Sequence, residues 1–306
     1  MAVVFGPTAV GKSTLLQQIL DSRYEVVSAD AMQVYRGLDI GTAKPTPAVQ
    51  SVLPHHLIDV ADPHEQFNVG CFVRLADAAC ADIRARGRIP IVCGGSGYYL
   101  ANFVFGLPES PPGDPVVRAA VQTRLSEAGP SALHAELAEV DPVTAARLHP
   151  NDAYRVSRAL EIFRTSSRAA STFPAPSRPR DTWRFTLIGL TRPREELNAR
   201  IEARVDEMFA AGLCDEVAGL QAAGYAGADP GMRAIGYREF LSNDDPAEVR
   251  GLIKRNSRRY AKRQITFFKG FPDVNWVPIN QIDQVGALIE GTADRPSDRA
   301  HRLAVQ

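Results

Sequence analysis

The chain has 306 residues, 45% hydrophobic and 23% charged, an ordinary globular composition long enough for one large domain or two smaller ones. Lys and Arg total 35 and Asp and Glu total 35, so the formal net charge is zero, and a nucleic-acid partner would need a local basic surface. Cys71, Cys80, Cys93 and Cys214 form no C-x-x-C pair and join no His cluster, which argues against a disulfide scaffold or zinc module and for a reduced, cytoplasmic setting; no secretory leader and no apolar run near the ~20 residues of a membrane span is apparent.

The run AVVF (2–5) reads as a short buried strand. It leads into Gly6-Pro7-Thr8-Ala9-Val10-Gly11-Lys12-Ser13, which fits the phosphate-binding pattern G-x-x-x-x-G-K-[ST]. A helix follows, with Leu15, Leu16, Ile19 and Leu20 on one face. YEVVSAD (24–30) is a second strand ending on Asp30, 72–86 has helical spacing, and RIPIVCGG (88–95) is a third strand opening onto glycines. Strands alternating with helices predict a parallel α/β sheet with its ligand at the carboxyl ends of the strands.

The stretch GLPESPPGDP (106–115) holds four prolines and two glycines and marks a boundary. Residues 116–165 read as wholly helical, and SSRAASTFPAPSRPRD (166–181) is a Ser/Pro-rich link back to the strand WRFTLIGL. An amphipathic helix at 194–211, a basic helix at about 246–268, a last strand in NWVPI and a polar, disordered tail complete the chain.

Glycines let backbone N–H groups close around phosphate oxygens, and the helix start adds partial positive charge. Lys12 supplies a full charge, and the Ser13 hydroxyl suits a magnesium ion. The third strand ends Cys93-Gly94-Gly95-Ser96-Gly97, without the acid that many nucleotide-hydrolysing relatives place there. The acid is Asp30, on the second strand, where it either ligates metal through water, accepts a proton, or caps the following segment. His55, His56 and Asp59 read as loop residues rather than a metal site, because adjacent histidines on an extended segment face opposite ways.

The segment 250–270 carries eight cations and no acid: Arg250, Lys254, Arg255, Arg258, Arg259, Lys262, Arg263 and Lys269. Their i,i+4 spacing predicts two columns of like charge that a polyanion would relieve. Tyr260, Phe267 and Phe268 are rings for base stacking or for the core. Arg233, in the glycine-punctuated PGMRAIGYREF, suits a bidentate phosphate contact. A small-molecule kinase shares the loop and sheet but has no need of the basic helix; a plain RNA-binding module has no need of both Asp30 and the loop.

The motifs GPTAVGKS, SADAMQVYRGLDIGTAKP, PHHLIDVADP, GRIPIVCGGSGYY, DPVTAARLHPNDAYRVSRALEIF, MRAIGYRE and AKRQITFF occur in this order. Together they resemble the bacterial tRNA dimethylallyltransferases over about residues 1–280, with Ser96 where threonine is usual. The resemblance implies an α/β, P-loop NTPase-like parallel core from 1–113 and 182–288, an all-helical insertion at 114–181 that grips the tRNA anticodon stem, and a disordered tail at 289–306. It implies that the loop, Gly6 to Ser13, holds dimethylallyl diphosphate rather than ATP, with Arg233 and a magnesium ion at Ser13 and Asp30. The five-carbon group passes to N6 of adenosine 37, with Asp30 as general base and Lys12, Ser13 and Arg233 on the diphosphate. The implied tRNA contacts are Asp30, Ala31, Met32, Gln33, Ser96, Arg118, Tyr154, Arg155, Val156, Ser157, Arg158, Arg233, Gly236, Tyr237, Arg238, Lys254, Arg258, Lys262, Arg263, Gln264 and Lys269. The expected state is a cytoplasmic monomer; an acceptor such as free AMP fits the large insertion less well than tRNA.

Overall fold

Short runs of continuous apolar residues form the strands, as expected where both faces of a parallel sheet are covered. In the computed structural model, which describes residues 1–293, β1 (Ala2–Phe5) is buried along its whole length. The chain then runs through α1 (Lys12–Ile19), β2 (Tyr24–Ala29), α2 (Pro47–Val52), β3 (His55–His56), α3 (Val69–Ala85), β4 (Ile89–Gly94) and α4 (Gly97–Phe105). After α5 (Pro115–Val140), α6 (Pro142–Ala145) and α7 (Ala153–Ser166) it returns through β5 (Thr186–Thr191), α8 (Arg194–Ala210), α9 (Leu213–Ala222), α10 (Pro246–Phe268), β6 (Val274–Pro278) and α11 (Ile282–Ala293).

The six strands lie in the order β3-β2-β4-β1-β5-β6, all parallel. Val4 of β1 pairs with Cys93 of β4 on one side and Ile188 of β5 on the other. The chain leaves β1 toward β2 on one flank and completes the sheet with β5 and β6 on the other. The loops after β1, β2 and β4 therefore meet at one crevice at the carboxyl ends of the strands. Leu15, Leu16, Ile91, Ile188 and Ile201 belong to the core beneath it. A second cluster joins Val34, Tyr35, Val205, Leu213, Met232, Tyr237 and Ile253.

The two-residue β3 is a strand where the sequence suggested a loop, being too short to show a period. His56 Nε2 lies 2.7 Å from the buried Glu25 carboxylate, which also binds Arg86, so these histidines belong to an edge ion network.

Residues 105–178 form a separate compact unit, distinct from 1–104 with 179 onward. The prolines of 106–115 end in a helix start: Asp114 accepts from the N–H groups of Val116 and Val117, with Pro115 in the first turn. The stretch read as continuously helical is broken at Gly129, whose φ of 79° is left-handed, with Pro130 opening the next segment. Val121, Leu133, Leu137, Val156 and Leu160 form this unit's own core. The observed limits replace the sequence-read 114–181. The expected disordered tail is corrected as well: residues 289–293 close α11, and Ile289 is buried against the sheet's core. The remainder of the tail lies outside the described residues.

Candidate functional site

The loop between β1 and α1 is shaped by its own backbone. Gly11 caps α1 with φ 114°, a backbone conformation that L side chains rarely adopt, so the position favours glycine. Ala9 is left-handed as well, at φ 60°. Lys12 folds onto its own loop, its Nζ donating to the carbonyls of Gly6 at 2.9 Å and Pro7 at 3.0 Å. Burial lowers the pKa of this ammonium to about 8; Cys93 and Asp30 pull it back up, and Arg204 pushes it further down.

Three other elements hold the loop. Arg192 Nε, just past β5, donates to Val10 O at 3.2 Å, and Arg200 Nε, from α8, donates to Ala9 O at 3.0 Å. Gln264 of α10 is buried, accepting from Thr8 N at 2.8 Å and donating to Gly95 O at 2.8 Å. It thereby ties the phosphate loop to the turn after β4. A Cβ on Gly95 would lie 2.5 Å from that amide, so the glycine makes room for the tie.

Asp30 stands across the crevice, directly after β2. Its Oδ1 accepts from Met32 N at 2.9 Å and Gln33 N at 3.3 Å, so the capping role is real. Its Oδ2 has no hydrogen-bond partner among the described residues, leaving one oxygen available for chemistry. Ser96 Oγ accepts from Ala31 N at 2.9 Å and braces the same turn. Gln33 spends its amide on Thr42 O, Ala43 O and Ser28 Oγ. Glu216 of α9 receives the N–H groups of Asp39, Ile40 and Gly41 and the hydroxyl of Tyr237, fixing the loop that closes this side.

Two cavities meet here. One, of about 700 Å³, is lined by Lys12, Ser13, Thr14, Asp30, Lys44 and Arg200. The other, of about 270 Å³, combines apolar Met32, Ile201, Val205, Ile235 and Ile253 with Arg233, Arg238 and Arg263. Thr8, Asp30, Arg204 and Tyr260 line both. Burial raises the Tyr260 hydroxyl to about 12, with the Asp30 charge adding to the effect. Burial also lowers the Arg204 guanidinium, against the pull of Asp30 and Glu207.

The structure thus gathers Asp30, Lys12, Ser13, Arg233, Ala31, Met32, Ser96, Arg238 and Arg263 around one crevice. Several expected RNA contacts are corrected by burial. Gln264 is internal with its amide fully engaged. Tyr237 is buried against Glu216 and Gly41, and Gly236 is buried with its N–H bound to Glu239. Val156 and Ser157 point into the helical unit, while Tyr154 is 84% exposed and Arg155 is also on the surface. Arg118 and Arg158 both pair with the buried Glu161.

The basic helix is also corrected. Lys254 binds Asp206 at 2.7 Å, Arg250 reaches the same carboxylate at 3.9 Å and Arg258 binds Glu202 at 2.5 Å, all on α8, so these three are not the unpaired cations the spacing suggested. Arg255, Arg259, Lys262 and Lys269 are exposed and carry no ion pair among the described residues. Phe268 packs on Phe5 at 4.6 Å between centroids, which places it in the core; Phe267 is partly exposed.

Sequence reasoning missed Arg204, Arg192 and Arg200. The readable signal for Arg204 is a cation on the apolar stripe Leu197, Ile201, Val205, Met208 of α8.

No group of three or more His, Cys, Asp or Glu side chains able to hold a metal occurs among the described residues. Ser13 and Asp30 supply oxygens only, and both line the larger cavity. Such a sparse, hard donor set fits magnesium, which keeps waters and takes its other ligands from phosphate. No helix among the described residues is long and apolar enough to cross a membrane.

A loop of phosphate-binding sequence that shares a cavity with Asp30, with no acid at the end of β4, defines a P-loop-type α/β protein with a site suited to a phosphorylated ligand. The family model for IPP transferase matches residues 33–271. The tRNA dimethylallyltransferase of Geobacter sulfurreducens is 43% identical over 283 residues, spanning 90% of this chain and 91% of that protein. That of Roseiflexus castenholzii is 43% identical over 310 residues, spanning 96% and 98%. Among solved structures, the full-length tRNA isopentenylpyrophosphate transferase of Bacillus halodurans superposes with a TM-score of 0.67 at 35% identity over 100% of this chain and 99% of that one. A eukaryotic dimethylallyltransferase acting on tRNA superposes at 0.76 with 27% identity, over 96% and 77%. The chain belongs to the IPP transferase family.

Proposed function

We propose that the chain transfers the dimethylallyl group of dimethylallyl diphosphate to N6 of adenosine 37 in tRNA, releasing diphosphate. The observation that carries this reading is the junction of two cavities, one built for phosphate and one lined with apolar side chains, with Asp30 at their shared wall. The diphosphate lies against the loop, Lys12 and Ser13, with Arg233 reaching it from the smaller cavity. The branched five-carbon chain finds Ile201, Val205 and Ile235 around it.

The adenine leaves the anticodon-loop stack to enter, at a cost of a few kcal/mol. An exocyclic amine is a weak nucleophile, so removal of its proton by Asp30 matters as the new bond forms. The turn of N–H groups on Oδ1 orients that carboxylate and keeps Oδ2 for the proton. Magnesium held by Ser13, and by Asp30 through water, would supply positive charge to the diphosphate oxygens. Lys12 adds the charge of its ammonium, held against the loop carbonyls of Gly6 and Pro7.

The surfaces that suit tRNA are the exposed Arg255, Arg259, Lys262 and Lys269 of α10 and the exposed face of the helical unit around Tyr154 and Arg155, which fits an anticodon stem. The reading places the enzyme in the cytoplasm as a monomer. The test is incubation with labelled dimethylallyl diphosphate and unmodified tRNA, followed by nucleoside analysis. Label in a modified adenosine at position 37 is expected. Label transferred only to free AMP, or a preference for ATP over dimethylallyl diphosphate in a binding titration, would overturn it.

A further inference from the structure

Two side chains that line both cavities form a complementary pair. Asp30 offers a carboxylate oxygen, and Tyr260, on α10, offers a hydroxyl. Arg263 lies over the Tyr260 ring, its guanidinium carbon 5.8 Å from the centroid. Ser96 and Gln264 approach the Tyr260 oxygen as donors, so the proton of the phenol itself is left to give. Ser96 Oγ already accepts from Ala31 N, which frees the serine proton for that contact. Burial and the nearby Asp30 charge keep the proton on the phenol. Asp30 acts on Tyr260 through its charge and not through a hydrogen bond, so the acceptor and the donor face the same space without satisfying each other.

An acceptor beside a donor is the complement of one base edge. Adenine presents its N6 amine as a donor and the adjacent ring nitrogen N1 as an acceptor. Guanine presents the reverse, a carbonyl oxygen and an N1–H, and would set that oxygen against the carboxylate. A base taken out of the stack is read on this Watson–Crick edge. N1 also poses a chemical problem. Its lone pair lies in the ring plane, whereas that of N6 is delocalised into the ring, so N1 is the stronger nucleophile toward an allylic donor. Attack by N1 would break the same carbon–oxygen bond, leave the electron pair on the diphosphate and give a cationic adenine with no need of a base. An enzyme that alkylates N6 has to suppress it.

We propose that the Tyr260 hydroxyl donates a hydrogen bond to N1 of the flipped adenine, selecting adenine, turning N6 toward Asp30 and tying up the lone pair that would otherwise be alkylated. This specificity role rests on the transfer reaction proposed above. In the productive step the N6 lone pair forms the new carbon–nitrogen bond, and the carbon–oxygen bond breaks with its electron pair on the diphosphate. The N6 proton passes to the Asp30 carboxylate, and the Tyr260 proton stays where it is. No further reactant is needed.

The test uses the full-length enzyme, Tyr260→Phe, and tRNA carrying adenosine, 1-deazaadenosine or 7-deazaadenosine at position 37. Steady-state kinetics give kcat/KM for each tRNA, and thermal melting reports folding. Product nucleosides are separated under mildly acidic conditions, where the N1 and N6 isomers do not interconvert. Removing either partner leaves the other unpaired and is expected to lower kcat/KM about tenfold or more. The two losses overlap, so 1-deazaadenosine costs Tyr260→Phe about tenfold less than it costs wild type. With 7-deazaadenosine the substitution keeps its full effect. The N1-alkylated isomer is expected from Tyr260→Phe and not from wild type. Losses that multiply would overturn the proposal by assigning the hydroxyl to Asp30, and an overlap with 7-deazaadenosine instead would overturn it by placing the hydroxyl on N7. A product alkylated only at N6 in the variant overturns the masking of N1. Wild-type turnover of 1-deazaadenosine within about threefold of adenosine overturns the contact without any variant, which decides the case should Tyr260→Phe not fold. A wild-type enzyme that transfers nothing to adenosine 37 overturns the reaction itself, whereas normal transfer unchanged in Tyr260→Phe overturns only the role of Tyr260.

Discussion

Asp30 holds two positions at once, capping a turn with one oxygen and lining both cavities. Loss of the base costs ~10² to 10⁴ in rate, so Asp30→Ala is expected to bind tRNA normally while kcat collapses; turnover within tenfold of wild type would leave Asp30 only its cap. Lys12 gives a prediction in pH. Its pKa in the free protein is lowered from 10.5 to about 8, chiefly by burial. Below about 8 the ammonium is charged in both folded and unfolded chains, and the cost of burying it is fully felt. As pH rises from about 8 toward 10.5 the unfolded chain holds more protons, so this residue's contribution to stability improves. A bound diphosphate favours the charged form, so binding takes up a proton in that window and affinity falls as pH climbs through it. Calorimetry at pH 9 in buffers of different ionisation enthalpy measures the uptake, which is expected in wild type and absent in Lys12→Arg. Both residues were legible from the sequence, because the G-x-x-x-x-G-K-[ST] spacing and a strand ending in Asp imply a place in the sheet. Arg204 offered only its place on the apolar stripe of α8, and that spacing says nothing of the cavities the side chain lines once the helices are packed.

At the scale of the element, α10 carries a buried face and an exposed basic one. Val249, Ile253, Ala261, Gln264 and Phe268 line its buried side. The sequence displayed eight cations and their i,i+4 columns, but the acids that answer three of them sit on α8, far back along the chain, where no local pattern exposes the pairing. The salt test therefore moves to the unpaired cations. Each phosphate contact removed lowers the slope of log K against log salt by roughly 1, or somewhat less for RNA. Arg259→Ala and Lys262→Ala are expected to flatten the slope between about 50 and 200 mM salt, while Arg258→Ala changes it little and costs at most about 1 kcal/mol through Glu202. Equal slopes in all of them would place the tRNA elsewhere. The same helix controls the loop through Gln264. Gln264→Leu leaves Thr8 N–H and Gly95 C=O without their buried partner, at ~1–3 kcal/mol for each unsatisfied group. The expected result is a raised donor KM with tRNA affinity retained. Weakened tRNA binding at an unchanged donor KM would restore the RNA-contact role that the motif alone suggested.

At the scale of the molecule, the chain folds as two compact units, and every residue lining the two cavities belongs to the α/β unit. The sheet was readable because each strand is a continuous apolar run bounded by glycine, proline or a helix start, and a parallel order follows from the alternation. The strand order itself, with β1 between β4 and β5, depends on long-range pairing that no local period encodes. The insertion was readable from its flanking prolines, and its limits less so: α4 runs to Phe105 before the first proline, and the link after α7 holds a short 3-10 turn at Ala170–Thr172 bound to Asp141. The independence of the helical unit's core yields the last prediction. Leu137 is fully buried there with Leu133 and Val156, and Leu→Ala at such a site removes ~2–5 kcal/mol of packing. Because no cavity-lining residue lies in this unit, Leu137→Ala should loosen the helices while leaving pyrophosphate and donor affinity at wild-type values. If the unit grips the anticodon stem, tRNA affinity falls and the tRNA KM rises in the same variant, with kcat at saturating tRNA little changed. Hydrogen exchange confined to residues 115–166 would verify that the damage is local. Normal tRNA affinity in a variant whose helices exchange freely would mean that the stem is held by the α/β unit alone, through α10.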